Sequence, residues 1–403
     1  MGYHLKCVNC HKTYAPDHDR YTCDDCGDLK GTLEVVYDYS KLTLSREDFS
    51  PYEGLFQFTD LLPVGSNTSI DEAMGGTPLL EFEGLLGLDR VLIKHDGLGF
   101  SSSFKDRASI IAVNKALELG YDTVYCASTG NAASSLALAS AHTPLKTVIF
   151  VPSTIPKGKL AQLLVAGAQV LPIKTTYDEV FDISLEIGRK KGWYCRNSAI
   201  NPYLLEGKKT AAFEILVQNH YEVPDFVFVS VGDGTIVSAL MKGFREFRDL
   251  GLVDAIPKVV GVQARGAATI QHVFEKGAPF EPAPEEVSTI ADSISVGNPR
   301  DVVKACTYAQ ALGGTFISVS DEAILDSIHE MAASTGVFAE PAGAAAYAGL
   351  KTMVASGEIR PEHLVCVVVT GNGLKDIDAV KGQTPVEFYE VAQVYELMKG
   401  ETE

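Results

Sequence analysis

Short runs that are apolar along nearly their whole length decide what this chain can become. Val124–Ala127, Thr147–Val151, Gln169–Ile173, Phe226–Val231, Lys258–Val262 and Leu364–Val369 are too short for buried helices. They also lack the alternation of a strand with one wet face. They read as strands covered on both sides, as in parallel sheets. Between them lie stretches of helical period, among them Ala108–Leu119, Ala133–Ala141, Lys159–Ala166 and Val237–Phe247. Strand and helix in alternation predict an α/β fold with helices on both faces of its sheets. Nearer the start, Gly31–Tyr37 alternates like a strand, and residues 40–75 form a polar entry segment. Gly75–Leu79 turns into a further strand, and Val91–Lys94 is another. No solenoid repeat is present. The tail after residue 377 receives no element.

With 403 residues and 46% hydrophobic content, the chain has ample core for one large two-lobed unit or two to three domains. A formal charge of -18 repels nucleic acid and anionic membranes at long range, so neither is an expected partner. No apolar run approaches a membrane span, and Met1–Lys6 lacks a signal-peptide core. A cytoplasmic protein with a small-molecule substrate is expected.

Four of the eight cysteines fall at Cys7, Cys10, Cys23 and Cys26, as C-x2-C-x12-C-x2-C. Two such pairs offer the four thiolates of a tetrahedral zinc site, and a cytoplasmic chain disfavours the alternative of two disulfides. Four thiolates leave no open coordination position, so the metal would be structural. Cys126, Cys195, Cys306 and Cys366 are scattered and read as buried small hydrophobes.

Four segments carry the chemistry. Lys105 sits in Ser101-Ser-Ser-Phe-Lys-Asp-Arg107, where Asp106 and Arg107 are expected to make a salt bridge at a helix start. Ser128-Thr129-Gly130-Asn131 follows a strand, and its residue types suit helix N-capping as well as ligand contact. Gly232-Asp233-Gly234-Thr235 ends a strand and opens a helix, where glycines let backbone N–H groups approach a phosphate. A dinucleotide fingerprint would need a third glycine where Val237 stands. Thr370-Gly-Asn-Gly-Leu-Lys-Asp376 follows the last apolar strand.

Together these four segments resemble the pyridoxal-phosphate enzymes of the tryptophan-synthase-β type (fold type II), most closely the threonine synthase family. The resemblance runs from the zinc-ribbon-like start to about residue 380. It implies a PLP-dependent carbon–oxygen lyase that converts phosphohomoserine to threonine and phosphate. Lys105 would be the catalytic Schiff-base lysine, and its released amine would move protons at Cα. Asn131 would bond the cofactor's phenolic oxygen and Gly232–Thr235 would cradle its phosphate. The Thr370 hydroxyl would meet the pyridine nitrogen and leave it neutral. Ser128, Thr129 and position 204 would belong to the substrate pocket. The implied organisation is a ribbon over 1–38, a large lobe over 39–95 and 203–403, and a small α/β lobe over 96–202. A homodimer is expected.

Three positions depart from the family. Leu204 stands where an arginine usually helps hold the substrate's phosphate, Ala132 where a threonine is typical, and Ile236 where the phosphate loop commonly has asparagine. Each charge-assisted hydrogen bond contributes roughly 1.5–3 kcal/mol, so the substitutions weaken phosphohomoserine binding unless Lys157, Lys159 or Arg196 compensates. With Gly343, which resembles the amino-acid dehydratases, they favour a second reading. That reading is an ammonia-lyase or β-replacing enzyme acting on an unphosphorylated hydroxy-amino acid such as serine or threonine. From other classes, a nicotinamide oxidoreductase leaves Lys105 and Thr370 unexplained. A zinc-ribbon binding protein with a degenerate enzyme body would carry no lysine-bound cofactor.

Overall fold

The computed structural model describes residues 2–16, 20–155, 157–380, 388–391 and 393–394; the tail without an expected element lies mostly outside them. Three sheets organise the chain. Tyr3–Cys7, Thr13–Tyr14 and Leu33–Tyr37 form an antiparallel sheet at the start, with Tyr3–Cys7 in the middle. The alternation read at Gly31–Tyr37 is real: Leu33, Val35 and Tyr37 are buried, Glu34 and Val36 less so.

The apolar runs became the two other sheets. The smaller has Gln169–Ile173, Lys146–Pro152, Thr123–Ala127 and Tyr194–Cys195 in spatial order, all parallel. The larger runs Thr315–Val319, Lys258–Ala264, Phe226–Ser230, Val365–Val369, Val91–His95 and Leu79–Phe82. Its strands are parallel except Leu79–Phe82, which pairs antiparallel with Val91–His95 at the edge. The centre of this sheet is dry. Val227, Phe228, Val229, Val365, Cys366 and Val367 are all fully buried.

Expected strand limits agree with the structure to within a residue or two. Helices begin slightly earlier than read: Asp106–Glu118, Asn131–Ser140, Lys157–Val165 and Thr235–Asp249. The lysine loop therefore runs straight into a helix, with Lys105 at its N-cap position. The four scattered cysteines are buried, as anticipated.

The helix Tyr203–Gln218 is one of several without a counterpart in the expected elements. Every one of its residues is buried, including Glu206, Lys208, Lys209 and Glu214. It lies against Asp106–Glu118 so closely that a Cβ on Gly207 would stand 1.9 Å from the Arg107 carbonyl oxygen. Most of its charges are paired inside: Lys209 meets Glu206 at 2.6 Å and Glu246 at 2.7 Å, and Lys242 meets Glu206 at 2.5 Å. Further along, Glu214 binds Lys94 and Arg107, each at 2.6 Å.

Candidate active site

The C-terminal ends of the two parallel sheets deliver their loops to one cleft of about 520 Å³, counting the space open to solvent. Its lining includes Lys105, Asn131, Gly232–Thr235 and Thr370, residues from four separated parts of the chain, together with Ser198, Ser230, Ile236 and Glu340. Parallel strands account for the convergence, since loops at their carboxyl ends open on one side.

Backbone bonds weld two of these segments together. The Phe104 amide donates to the Thr370 carbonyl at 2.9 Å, and the Asn372 amide donates to the Ser102 carbonyl at 3.1 Å. Lys375 reaches the Ser101 carbonyl at 3.2 Å and the Ser134 hydroxyl at 3.1 Å. The Thr370–Asp376 run thus wraps the lysine loop. Lys105 itself is half-buried. Burial first, and then the neighbouring Arg196, push its amine below the ordinary lysine range, while Asp233 and Glu340 pull the other way. A lowered pKa brings the neutral amine, the form that nucleophilic attachment needs, within easier reach.

Asp106 and Arg107 do not pair with each other, contrary to expectation. Arg107 is fully buried and binds Asp96 at 2.6 Å as well as Glu214. Asp106 accepts from the Ser101 amide at 2.7 Å and from its hydroxyl, fixing the loop from inside. A buried guanidinium needs carboxylates on several sides, and the adjacent Asp106 is committed to its own loop.

Asn131 opens its helix but does not cap it; its Nδ2 donates to both Glu340 oxygens, at 2.9 and 3.1 Å. Burial pushes the Glu340 carboxyl up, against the opposing pull of Asn131 and Lys105. Glu340's bond to Asn131 joins residues 209 apart, and nothing local in the sequence announces it.

Gly234 has φ +92°, the left-handed region that glycine tolerates, and places Thr235 as the first residue of its helix. Asp233 accepts from the Arg300 amide at 2.8 Å. Burial, reinforced by Asp301, raises its carboxyl to about 6. Ser128, Thr129 and Leu204 are not among the cleft-lining residues. Ser128 shapes the turn, accepting from the Gly130 amide at 3.2 Å. Leu204 is buried in an apolar cluster with Ile111, Val113 and Tyr194.

The donor set fits a pyridoxal phosphate. An amine, a carboxamide, a hydroxyl and a glycine-bounded helix start face one cleft, and the Ser230 Oγ in its lining is buried without a partner among the described residues. Residues 70–371 match the family model described as pyridoxal-phosphate dependent enzyme. The threonine synthase of Methanosarcina acetivorans is 39% identical over 384 residues, covering 94% of this chain and 93% of its own. The threonine synthase of Methanocaldococcus jannaschii is 40% identical, covering 93% of each. The chain belongs to the threonine synthase family of pyridoxal-phosphate-dependent enzymes. As a member of that family it is a PLP-dependent lyase with the two-lobed fold type II. The solved structure of the processed form of threonine deaminase isoform 2 from Solanum lycopersicum shares the fold, with a TM-score of 0.67, 23% identity and coverage of 86% and 87% of the two chains.

Near the start of the chain, the sulfurs of Cys7, Cys10, Cys23 and Cys26 all lie within 4.8 Å of one another. Tetrahedral Zn–S bonds of about 2.3 Å put sulfurs about 3.8 Å apart; Cys10 and Cys23 stand at 3.6 Å. The Tyr14 hydroxyl donates to Cys23 at 3.0 Å, the kind of outer contact that orients a metal ligand.

Proposed function

We propose that the cleft converts phosphohomoserine to threonine and phosphate, with Lys105 as the catalytic residue. The observation that carries this reading is the 39–40% identity with two threonine synthases over more than nine-tenths of the chain. Bound through Lys105, pyridoxal phosphate would supply a sink for the electron pair at Cα. The lysine amine, lowered by burial, takes and returns protons on the substrate. Asn131, already presenting its amide N–H groups into the cleft toward Glu340, would donate to the ring oxygen. Thr370 would offer a hydroxyl to the ring nitrogen, and Gly232–Thr235 would hold the phosphate at the helix start.

The substrate's own phosphate needs another cation, because position 204 is leucine. Among the three candidates, Lys159 pairs with Asp292 and Lys157 is exposed away from the lining. Arg196 is fully buried and is not itself a lining residue, but it reaches two that are, Ser198 at 3.4 Å and the Lys105 carbonyl at 3.5 Å. We assign it that role. The second reading, an enzyme for unphosphorylated serine or threonine, keeps support from Ile236 in the cleft lining. Gly343 supports it less, because a Cβ there would stand 3.2 Å from the Gly371 carbonyl, which is a packing reason for glycine.

The proposal extends to a structural zinc on the four cysteines, a small lobe over 96–202 between the parts of a large lobe, a homodimer and a cytoplasmic location. The deciding assay measures phosphate and ammonia release over a panel of amino acids. Phosphate released from phosphohomoserine with threonine formed supports the first reading. Ammonia released from serine or threonine, with no phosphate release, overturns it.

A further inference from the structure

Lys208 is fully buried in the helix Tyr203–Gln218, and its Nζ donates to the Thr235 Oγ1 at 2.6 Å. It differs from most of the other buried cations. Lys94, Arg107, Lys209, Lys242 and Lys304 each meet a carboxylate at 3.1 Å or less. Among the described residues, Lys208 makes no such pair. Like charges at Lys105 and Arg196 lie near it, and Asp233 and Asp301 act on it from beyond ion-pair distance. Asp301 is itself taken up by Lys304 at 3.1 Å. Burial, and then the like charges at Lys105 and Arg196, push its amine well below the ordinary lysine range, so Lys208 keeps its proton where an anion completes its surroundings.

Donor chemistry fixes what the contact does. With an anion holding Lys208 protonated, its ammonium has no acceptor, so the Thr235 oxygen accepts and the hydroxyl's own hydrogen is left to point toward that anion. Thr235 lines the cleft and is the first residue of a 15-residue helix, whose opening N–H groups have no intrahelical partner. We propose that Lys208 is a positioning residue that turns the Thr235 hydroxyl toward the cofactor's phosphate and sets a positive charge behind it. This rests on the reading of Gly232–Thr235 as the phosphate loop. Lys208 does not line the cleft; it acts through Thr235.

The test compares cofactor binding by the apo forms of the native protein, Lys208→Met, Lys208→Gln and Thr235→Val. Each is titrated with pyridoxal phosphate and with pyridoxal, which lacks the phosphate. Lys208→Met should lose about ten- to a hundred-fold in affinity for pyridoxal phosphate, with pyridoxal affinity held within about twofold, since the lost contacts serve only the phosphate. Lys208→Gln, whose amide can still donate to Thr235, should recover part of the loss. The double variant Lys208→Met with Thr235→Val should lose less than the sum of the two. Equal losses for both ligands, or none for pyridoxal phosphate, overturn the inference. So does an unchanged cofactor affinity with a raised KM for a phosphorylated amino acid, which would assign Lys208 to the substrate's phosphate. Failure of the loop reading looks different, because Thr235→Val would then also leave pyridoxal phosphate affinity unchanged. Should Lys208→Met not fold, Lys208→Gln and Thr235→Val carry the comparison.

Discussion

Truncating Lys105 to alanine removes the amine that lines the cleft without opening the core, because the side chain is half-buried and stands at the start of a helix. The variant should lose the absorbance of lysine-bound cofactor and all turnover, and unfold within a few degrees of the native protein. Retained turnover with the native spectrum would contradict the role given to Lys105. Leu204→Arg tests a different point. The sequence analysis placed Leu204 in the substrate pocket, but it sits in the apolar cluster away from the cleft lining. A buried unpaired arginine there should cost roughly 3–5 kcal/mol of stability, read from denaturant unfolding. The fraction that folds should gain nothing for phosphorylated amino acids. Single residues were legible where a compact motif announced them, as at Lys105, Asn131 and Thr370. Glu340's contact with Asn131 was not, because only the completed fold brings the two together.

Strands were the most legible elements, since a run buried on both faces has little choice of residue type. The helix Tyr203–Gln218 was hidden for the opposite reason. Glu206, Lys208, Lys209 and Glu214 break any apolar period, yet all are inside; Glu206, Lys209 and Glu214 pair with Lys242, Glu246, Lys94 and Arg107 on other elements. Pro341–Ala355 is alanine-rich and buried along most of its length, so it shows no polar face either. Glu214 gives the element scale its prediction. Burial raises its carboxyl, but Arg107 and Lys94 outweigh that and hold it at about 2, below the ordinary 4.5. A depressed acid contributes in full above its unfolded value, and the contribution is lost as pH falls through the folded one. Native stability should therefore decline between about pH 4.5 and 2, and Glu214→Gln should decline less over that window. At neutral pH the variant should be less stable by roughly 3–5 kcal/mol. Urea midpoints across pH decide it, and parallel curves would remove Glu214 as the cause.

The N-terminal sheet is tied to the whole molecule rather than hung from it. The Tyr37 hydroxyl donates to Glu206 at 2.9 Å, Lys242 to the Val35 carbonyl at 2.6 Å, and Lys304 to the Leu33 carbonyl at 3.0 Å. Freshly purified protein should contain about one zinc per chain, on the four-thiolate stoichiometry. Chelation should lower the unfolding temperature and expose four reactive thiols without directly altering the reacting groups. No zinc on metal analysis, with those thiols freely reactive from the outset, would contradict a metal site. Composition does not reveal that the chain leaves the larger sheet after Val91–His95 and re-enters it at Phe226–Ser230. That re-entry has a consequence for how the protein is made. The strand Val365–Val369 is inserted between Phe226–Ser230 and Val91–His95, and Gly371 bridges to Ser103. A nascent chain on the ribosome can pack its earlier strands only as two unjoined halves. Lys105 is synthesised early, but it waits for some 265 more residues before it has a floor beneath it. Cofactor capture is thus a late event in biosynthesis, and chains released before that last strand should leave the translation machinery unable to hold it.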